Sequence, residues 1–287
     1  MDSTSSTENK KGGTMLRWVI VAAGLVICLL LFFADKTNLN NLNGTELRSE
    51  TETSISPESA ATELSPLAPD PQLDSWREEL EKASGAEKIS LLDSIITRLE
   101  KRGRHDFAAR YADQLATIQR SLDNVLRAGR LYQEASRMEY VAEDSSLFRS
   151  FSNQSIQYLE AATAMDAESE DANYYLGLAY IESGVPQNSM KGIFAIRKVL
   201  EINPDNLQAI FSLGMFSIKT GQFDKAEARF EKVLDLQAEN YEAMYYLAFA
   251  RAQQNIPGNS RELLEQVIAG SKDNELKQKA RTLLNNL

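Results

Sequence analysis

One internal repeat constrains this chain more than any other feature. Leu213-Gly214 is followed by Gly221, Ala226, Phe230 and Val233-Leu234, and a shift of 34 residues lands on Leu247-Ala248, Asn255, Ser260, Leu264 and Val267-Ile268. Upstream, Leu176-Gly177 is followed by Tyr180, Gly184, Gly192, Ile196 and Val199-Leu200, with Pro204 closing the unit. This copy is slightly longer, and its extra residues fall around Val185-Pro186-Gln187, at a turn, where insertion is tolerated. A unit this short cannot bury its own apolar residues and must stack on its copies, which confines the chain to a one-dimensional array. Apolar residues inside each unit recur at helical spacing, and no stretch alternates apolar with polar residues as a half-buried strand would. The fold class predicted is all-α, in keeping with only 14 Gly and 7 Pro.

The pattern Leu-Gly-x2-Tyr, Ala-x3-Phe, Pro over 34 residues resembles the tetratricopeptide repeat (TPR). Its physical logic is readable here. A small residue beside the Leu lets the two helices of a hairpin approach closely, and the turn Gly ends the first helix in a left-handed conformation. Gly192, Ala226 and Ser260 take the small position where the second helix crosses the first, and Ile196, Phe230 and Leu264 fill the space between. Asn173, Ile210 and Met244 replace the family's first-helix Trp. Its Tyr is kept only as Tyr180, with Ser217 and Arg251 in the other copies. The resemblance implies a helix-hairpin solenoid.

It is firm over residues 170–271 and looser over 73–169, where Ala128-Gly129-x2-Tyr132 and Tyr158-x2-Ala161-Ala162 resemble the two halves of one hairpin. Between those halves, Tyr140 to Asn153 is an insertion. A more degenerate unit is suggested by Ile95-Ile96, Gly103, Ala108, Ala112 and Leu115. Residues 272–287 carry Leu276, Ala280, Leu283 and Leu284 on one face, as expected of a helix that caps a solenoid's open end.

The N-terminal region differs in kind. Residues 15–34 are apolar apart from Arg17, long enough to span a bilayer's hydrocarbon as a helix. Lys10, Lys11 and Arg17 lie before the core of the run and Lys36 after it, so the positive-inside rule predicts a short cytoplasmic tail, 1–14, with the rest of the chain across the membrane. A cleaved signal peptide competes with an uncleaved anchor, but Phe33 stands where a small residue is wanted before a cut. A lipoprotein site at Cys28 is opposed by the bulky Ile27 and by the apolar residues that follow. Residues 35–72, rich in Thr, Ser, Asn, Pro and Glu, predict a disordered linker. The sequon pattern occurs at Asn43-Gly44-Thr45 and Asn153-Gln154-Ser155. This layout is similar to bacterial proteins that join one N-terminal anchor to a periplasmic TPR domain.

Composition narrows the function. With 41 acidic residues against 31 basic, the chain lacks a nucleic-acid footprint. One Cys and one His remove cysteine-based zinc sites and Ser-His-Asp schemes. His105 is expected in a solvated polar turn, and the acids of Asp166-Ala167-Glu168-Ser169-Glu170-Asp171 fit a helix N-terminus better than a metal loop. No catalytic residue, cofactor or metal is predicted. The TPR resemblance implies a concave groove lined by the first helix of each hairpin, which places Tyr174, Leu178, Ile181, Phe211, Met215, Ile218, Tyr245 and Phe249 in it, edged by Glu182, Lys219 and Gln253. Such a groove suits an apolar or amphipathic protein segment. The alternatives are filling by the C-terminal helix, by the Tyr140 to Asn153 insertion, or by a second copy of the chain as a homo-oligomer.

Overall fold

Residues 64–255 and 258–287 are described by a computed structural model. The tail, the apolar run at 15–34, most of the expected linker and the Asn43 sequon lie outside the described residues. Among those residues there are thirteen helices and no strand. No helix among them is long and apolar enough to cross a membrane.

The helices pair as hairpins. After α1 (Pro71–Lys82) come α2 (Gly85–Lys101) and α3 (His105–Ile118). The next pair is α4 (Leu122–Ser136) and α6 (Ser145–Met165), with the short α5 (Glu139–Glu143) between them. Then follow α7 (Glu170–Glu182) with α8 (Pro186–Ile202), α9 (Leu207–Lys219) with α10 (Phe223–Leu236), α11 (Tyr241–Gln253) with α12 (Ser260–Gly270), and a final α13 (Asn274–Asn285). Each helix packs chiefly on its neighbours in sequence, the signature of a solenoid.

Local chemistry explains the starts. The helices that open a repeat, α4, α7, α9 and α11, together with α13, are preceded by Ser121, Ser169, Asn206, Asn240 and Asp273, whose side chains accept from the first-turn amides. The second helices α3, α8, α10 and α12 have no side-chain cap. The turn itself sets their entry: Gly103, Gly184 and Gly221 have φ of +67°, +70° and +70°, and Asn255 takes the same left-handed conformation at φ 57°.

Packing follows the repeat. Ile196, Phe230 and Leu264 are fully buried between the helices of their hairpins, as are Ala226 and Ser260 at the crossing points. Burial of a Phe this completely contributes about 1.5–3 kcal/mol. Apolar clusters run through the stack from Leu64 to Ala280, so the core is distributed along its length.

One expectation is corrected. The linker does not extend to residue 72. Leu64 is buried, Leu67 packs on the first core cluster, and Asp70 caps α1 with Pro71 at its first position. Three arginines from the end of α2 and the following turn hold this strap: Arg98 and Arg102 bond Asp70, Arg102 also reaches the Ala68 carbonyl at 2.9 Å, and Arg104 donates to the Pro66 carbonyl at 3.0 Å. A polar composition rich in Pro gave no hint of these backbone contacts. The insertion expected from Tyr140 to Asn153 is present and is folded: it is mostly α5 and the opening turns of the 21-residue α6, with Val141, Leu147 and Phe151 buried. The sequon Asn153-Gln154-Ser155 sits inside that helix, and Ser155 is buried there, its hydroxyl donating to the Gly129 carbonyl at 2.9 Å.

Candidate functional site

The helices that open each repeat form one layer, each touching the next. Tyr174 on α7 bonds Ser212 on α9 at 3.0 Å, and Phe211 on α9 meets Tyr246 on α11 edge-on with ring centroids 6.0 Å apart. Gln133 on α4 and Arg137, the residue that follows that helix, both donate to Glu182 on α7. α13 extends the layer beyond α11.

All eight residues expected in the groove lie on this layer, and all eight are half-buried. Their spacing explains why. In α7, α9 and α11 the residues Tyr174 and Leu178, Phe211 and Met215, and Tyr245 and Phe249 are one helical turn apart on a shared stripe. One side of each residue packs on the layer and the other remains open. Phe211 stands edge-on to the fully buried Phe230 at 5.5 Å, and Phe249 stands edge-on to Phe223 at 6.3 Å. The apolar floor therefore also braces the stack. Lys219 and Gln253 are exposed at its edge, whereas Glu182 is tied to Arg137 by an ion pair at 2.7 Å.

Two clefts open on this layer. The first, about 330 Å³, lies between Tyr245 and Phe249 of α11 and Glu275, Lys279, Thr282 and Leu283 of α13. The C-terminal helix therefore walls this cleft, which Phe249 lines from the other side. The second, about 660 Å³, is at the opposite end and is polar, lined by four carboxylates (Glu100, Asp123, Glu134 and Asp171) against two guanidiniums (Arg127 and Arg130). Arg127 is engaged by Asp93 at 2.5 Å and Glu100 at 2.6 Å, and these bonds together hold its charge more firmly, against the opposing effect of its own burial. Arg130 lies over the Tyr175 ring at 4.6 Å, a cation–π contact.

Sequence reasoning missed this polar end. Its signal was available: Asp123, Leu126 and Arg130 repeat the i, i+3, i+7 stripe of Asp171, Tyr174 and Leu178 at the same distance from the helix start. The long α6 displaces the two stripes by 48 residues rather than 34, which hides the match. His105 also differs from expectation. It is half-buried and lines the polar cleft, where its Nδ1 is shielded from solvent and makes no hydrogen bond. The turn before it is drawn against the strap by Arg104, which pairs with the fully buried Asp106 at 2.6 Å.

No family model matches the chain, and no curated protein matches it significantly. Solved structures do. A tetratricopeptide repeat protein from Parabacteroides merdae aligns over 75% of this chain and 78% of its own, with a TM-score of 0.58 at 16% identity. MamA from Desulfovibrio magneticus RS-1 aligns over 68% and 98%, with a TM-score of 0.51 at 17% identity. Another MamA structure aligns over 69% and 96%, with a TM-score of 0.50 at 18% identity. With the repeat spacing, the glycine turns and the buried crossing positions, these likenesses show that the described helices share the helix-hairpin solenoid fold of tetratricopeptide-repeat proteins.

Proposed function

We propose that this protein is a membrane-anchored TPR scaffold that receives an apolar or amphipathic segment of a partner protein on its first-helix layer. The observation that carries this reading is the row of eight half-buried apolar residues from Tyr174 to Phe249, each packed on one side and open on the other. A contiguous open apolar row is unusual on a soluble surface unless something covers it. The role is non-enzymatic in this reading. Residues 15–34 serve as an uncleaved anchor with the N-terminus in the cytoplasm, and the solenoid works on the far side, in the periplasm if the source is bacterial. Assembly or chaperone-like handling of an envelope protein fits that placement.

The test is crosslinking capture from membranes with the full-length protein beside Met215→Glu/Phe249→Glu. Phe211 is left intact because it stands against the fully buried Phe230. Loss of a specific set of proteins with the double variant, at unchanged helicity, supports the groove reading. An identical set with both baits refutes it.

A further inference from the structure

We infer that the segment received by this groove is an amphipathic helix with a basic edge, and that a row of carboxylates along one rim selects it. The inference rests on the groove reading above and adds the chemistry of the partner.

Two observations carry it. The first is positional. The second residue of each helix in the layer is Asp123 in α4, Asp171 in α7, Gln208 in α9, Glu242 in α11 and Glu275 in α13. All five are exposed, and four are acidic. Equivalent repeat positions lie along one edge of a solenoid, so these side chains form a rim. Asp123 and Asp171 border the polar cleft and Glu275 borders the apolar one, which places the rim beside the groove at both ends.

The second is charge balance. Glu275 is paired with Lys279 at 2.6 Å, but Asp123, Asp171 and Glu242 have no ion-pair partner among the described residues. Carboxylates in a first turn are favoured by the helix dipole, which accounts for one such residue at a time. Asp171 and Glu242 are each followed three and seven residues later by floor residues of the groove (Tyr174 and Leu178, Tyr245 and Phe249), and Asp123 by Leu126 and Arg130 of the polar cleft, so the three unpaired acids give one side of the layer an acidic edge. A partner with cations on the matching edge is attracted and oriented by it, while an acidic partner is repelled.

The geometry assigns the two halves of such a helix. Its apolar face lies on Leu178, Met215 and Phe249, and its basic edge faces Asp123, Asp171 and Glu242. The test uses the full-length protein in detergent micelles and three labelled 18-residue helical peptides, followed by fluorescence anisotropy. One peptide has Leu on one face and Lys along an edge, the second replaces Lys by Glu, and the third keeps Lys but replaces Leu by Ser. The Leu/Lys peptide should bind about tenfold more tightly than the Leu/Glu peptide, the size expected from a few partly exposed charge pairs, with the gap narrowing as salt is raised. Asp123→Asn/Asp171→Asn/Glu242→Gln should remove most of that preference. Asp235→Asn/Glu262→Gln/Glu265→Gln, which changes net charge equally on exposed sites of the second helices, should leave it intact. Equal binding of the Leu/Lys and Leu/Glu peptides, or equal effects of the two triple variants, overturns the basic-edge inference while leaving the apolar groove standing. Failure of both Leu peptides to bind overturns the groove reading itself. Binding of the Ser/Lys peptide as tightly as Leu/Lys reduces the interaction to bulk charge and overturns the inference.

Discussion

A Cβ placed on Gly192 would lie 2.5 Å from the carbonyl oxygen of Gly177, and one placed on Gly177 would lie 2.9 Å from the carbonyl oxygen of Gly192. The two helices of this hairpin therefore meet backbone to backbone, with the Ile196 and Ile181 side chains crowding the same two positions. Gly192→Ala should destabilise the protein by about 1–3 kcal/mol, the usual range for overpacking a close contact. Urea unfolding followed by circular dichroism measures it, and an unchanged midpoint would show that the helices separate freely.

The turn residue Asn255 takes a left-handed φ of 57° where the preceding hairpin has Gly221 at φ 70°. Asn tolerates this region better than most residues, and a β-branched residue tolerates it poorly. Asn255→Gly is expected to change stability by less than about 1 kcal/mol, whereas Asn255→Val should cost more than that. Thermal melts of the two variants decide it, and equal melting temperatures would contradict the turn account.

The strap clasp should resist acid. The hydrogen bond from Arg98 holds the Asp70 carboxyl down from 3.8 to about 2, with the Leu73 amide and the charges of Arg98 and Arg102 acting in the same direction. Because the folded value lies below the unfolded one, the clasp's contribution is fully present above about pH 4 and is lost as pH falls through about 2. Trp76 packs on the core beside the strap and reports on it. In a Trp18→Phe background its emission should hold steady from pH 7 to pH 3 and shift only below that, while Asp70→Asn should show the shifted spectrum already at pH 7. A transition centred near pH 4 in the parent would sink this account.

Phe230 and Phe211 should separate stability from binding only in part. Phe230 is fully buried and should cost about 3–5 kcal/mol as Phe230→Ala. Phe211 is half-buried against it, so Phe211→Ala should cost less in unfolding and still weaken capture of the Leu/Lys peptide. Equal unfolding costs would mean that Phe211 is a core residue only.

The sequence was most legible where geometry repeats without interruption. From Leu176 to Ile268 the crossing residues, turn residues and stripe positions all lie where their spacing predicts, because each is fixed by contact with the adjacent helix. Upstream, the 21-residue α6 and the short α5 shift the frame, and a periodicity set by hairpin length no longer aligns. The strap at 64–70 was illegible for a different reason: arginines reaching main-chain carbonyls leave no apolar pattern. At the candidate site, the resemblance and helical spacing together placed the eight aromatic and aliphatic positions on the first helices, where they are half-buried. Their dual role was not legible, since only the structure brings Phe211 to Phe230 or Tyr174 to Ser212. The acidic rim was hidden in plain view, because a first-turn carboxylate has a local explanation whenever one repeat is considered alone.

The central claim is that the first-helix layer, rather than the outer face, meets the partner. The outer face offers its own apolar candidates, since Met190 and Phe194 on α8 are 55% and 59% exposed. A photo-crosslinking amino acid placed singly at Leu178, Phe249 or Phe194 in the full-length protein, irradiated in native membranes, compares the two surfaces directly. The account predicts a common adduct from Leu178 and Phe249 that is absent from Phe194. An adduct from Phe194 alone, or none from the two groove positions, would contradict it.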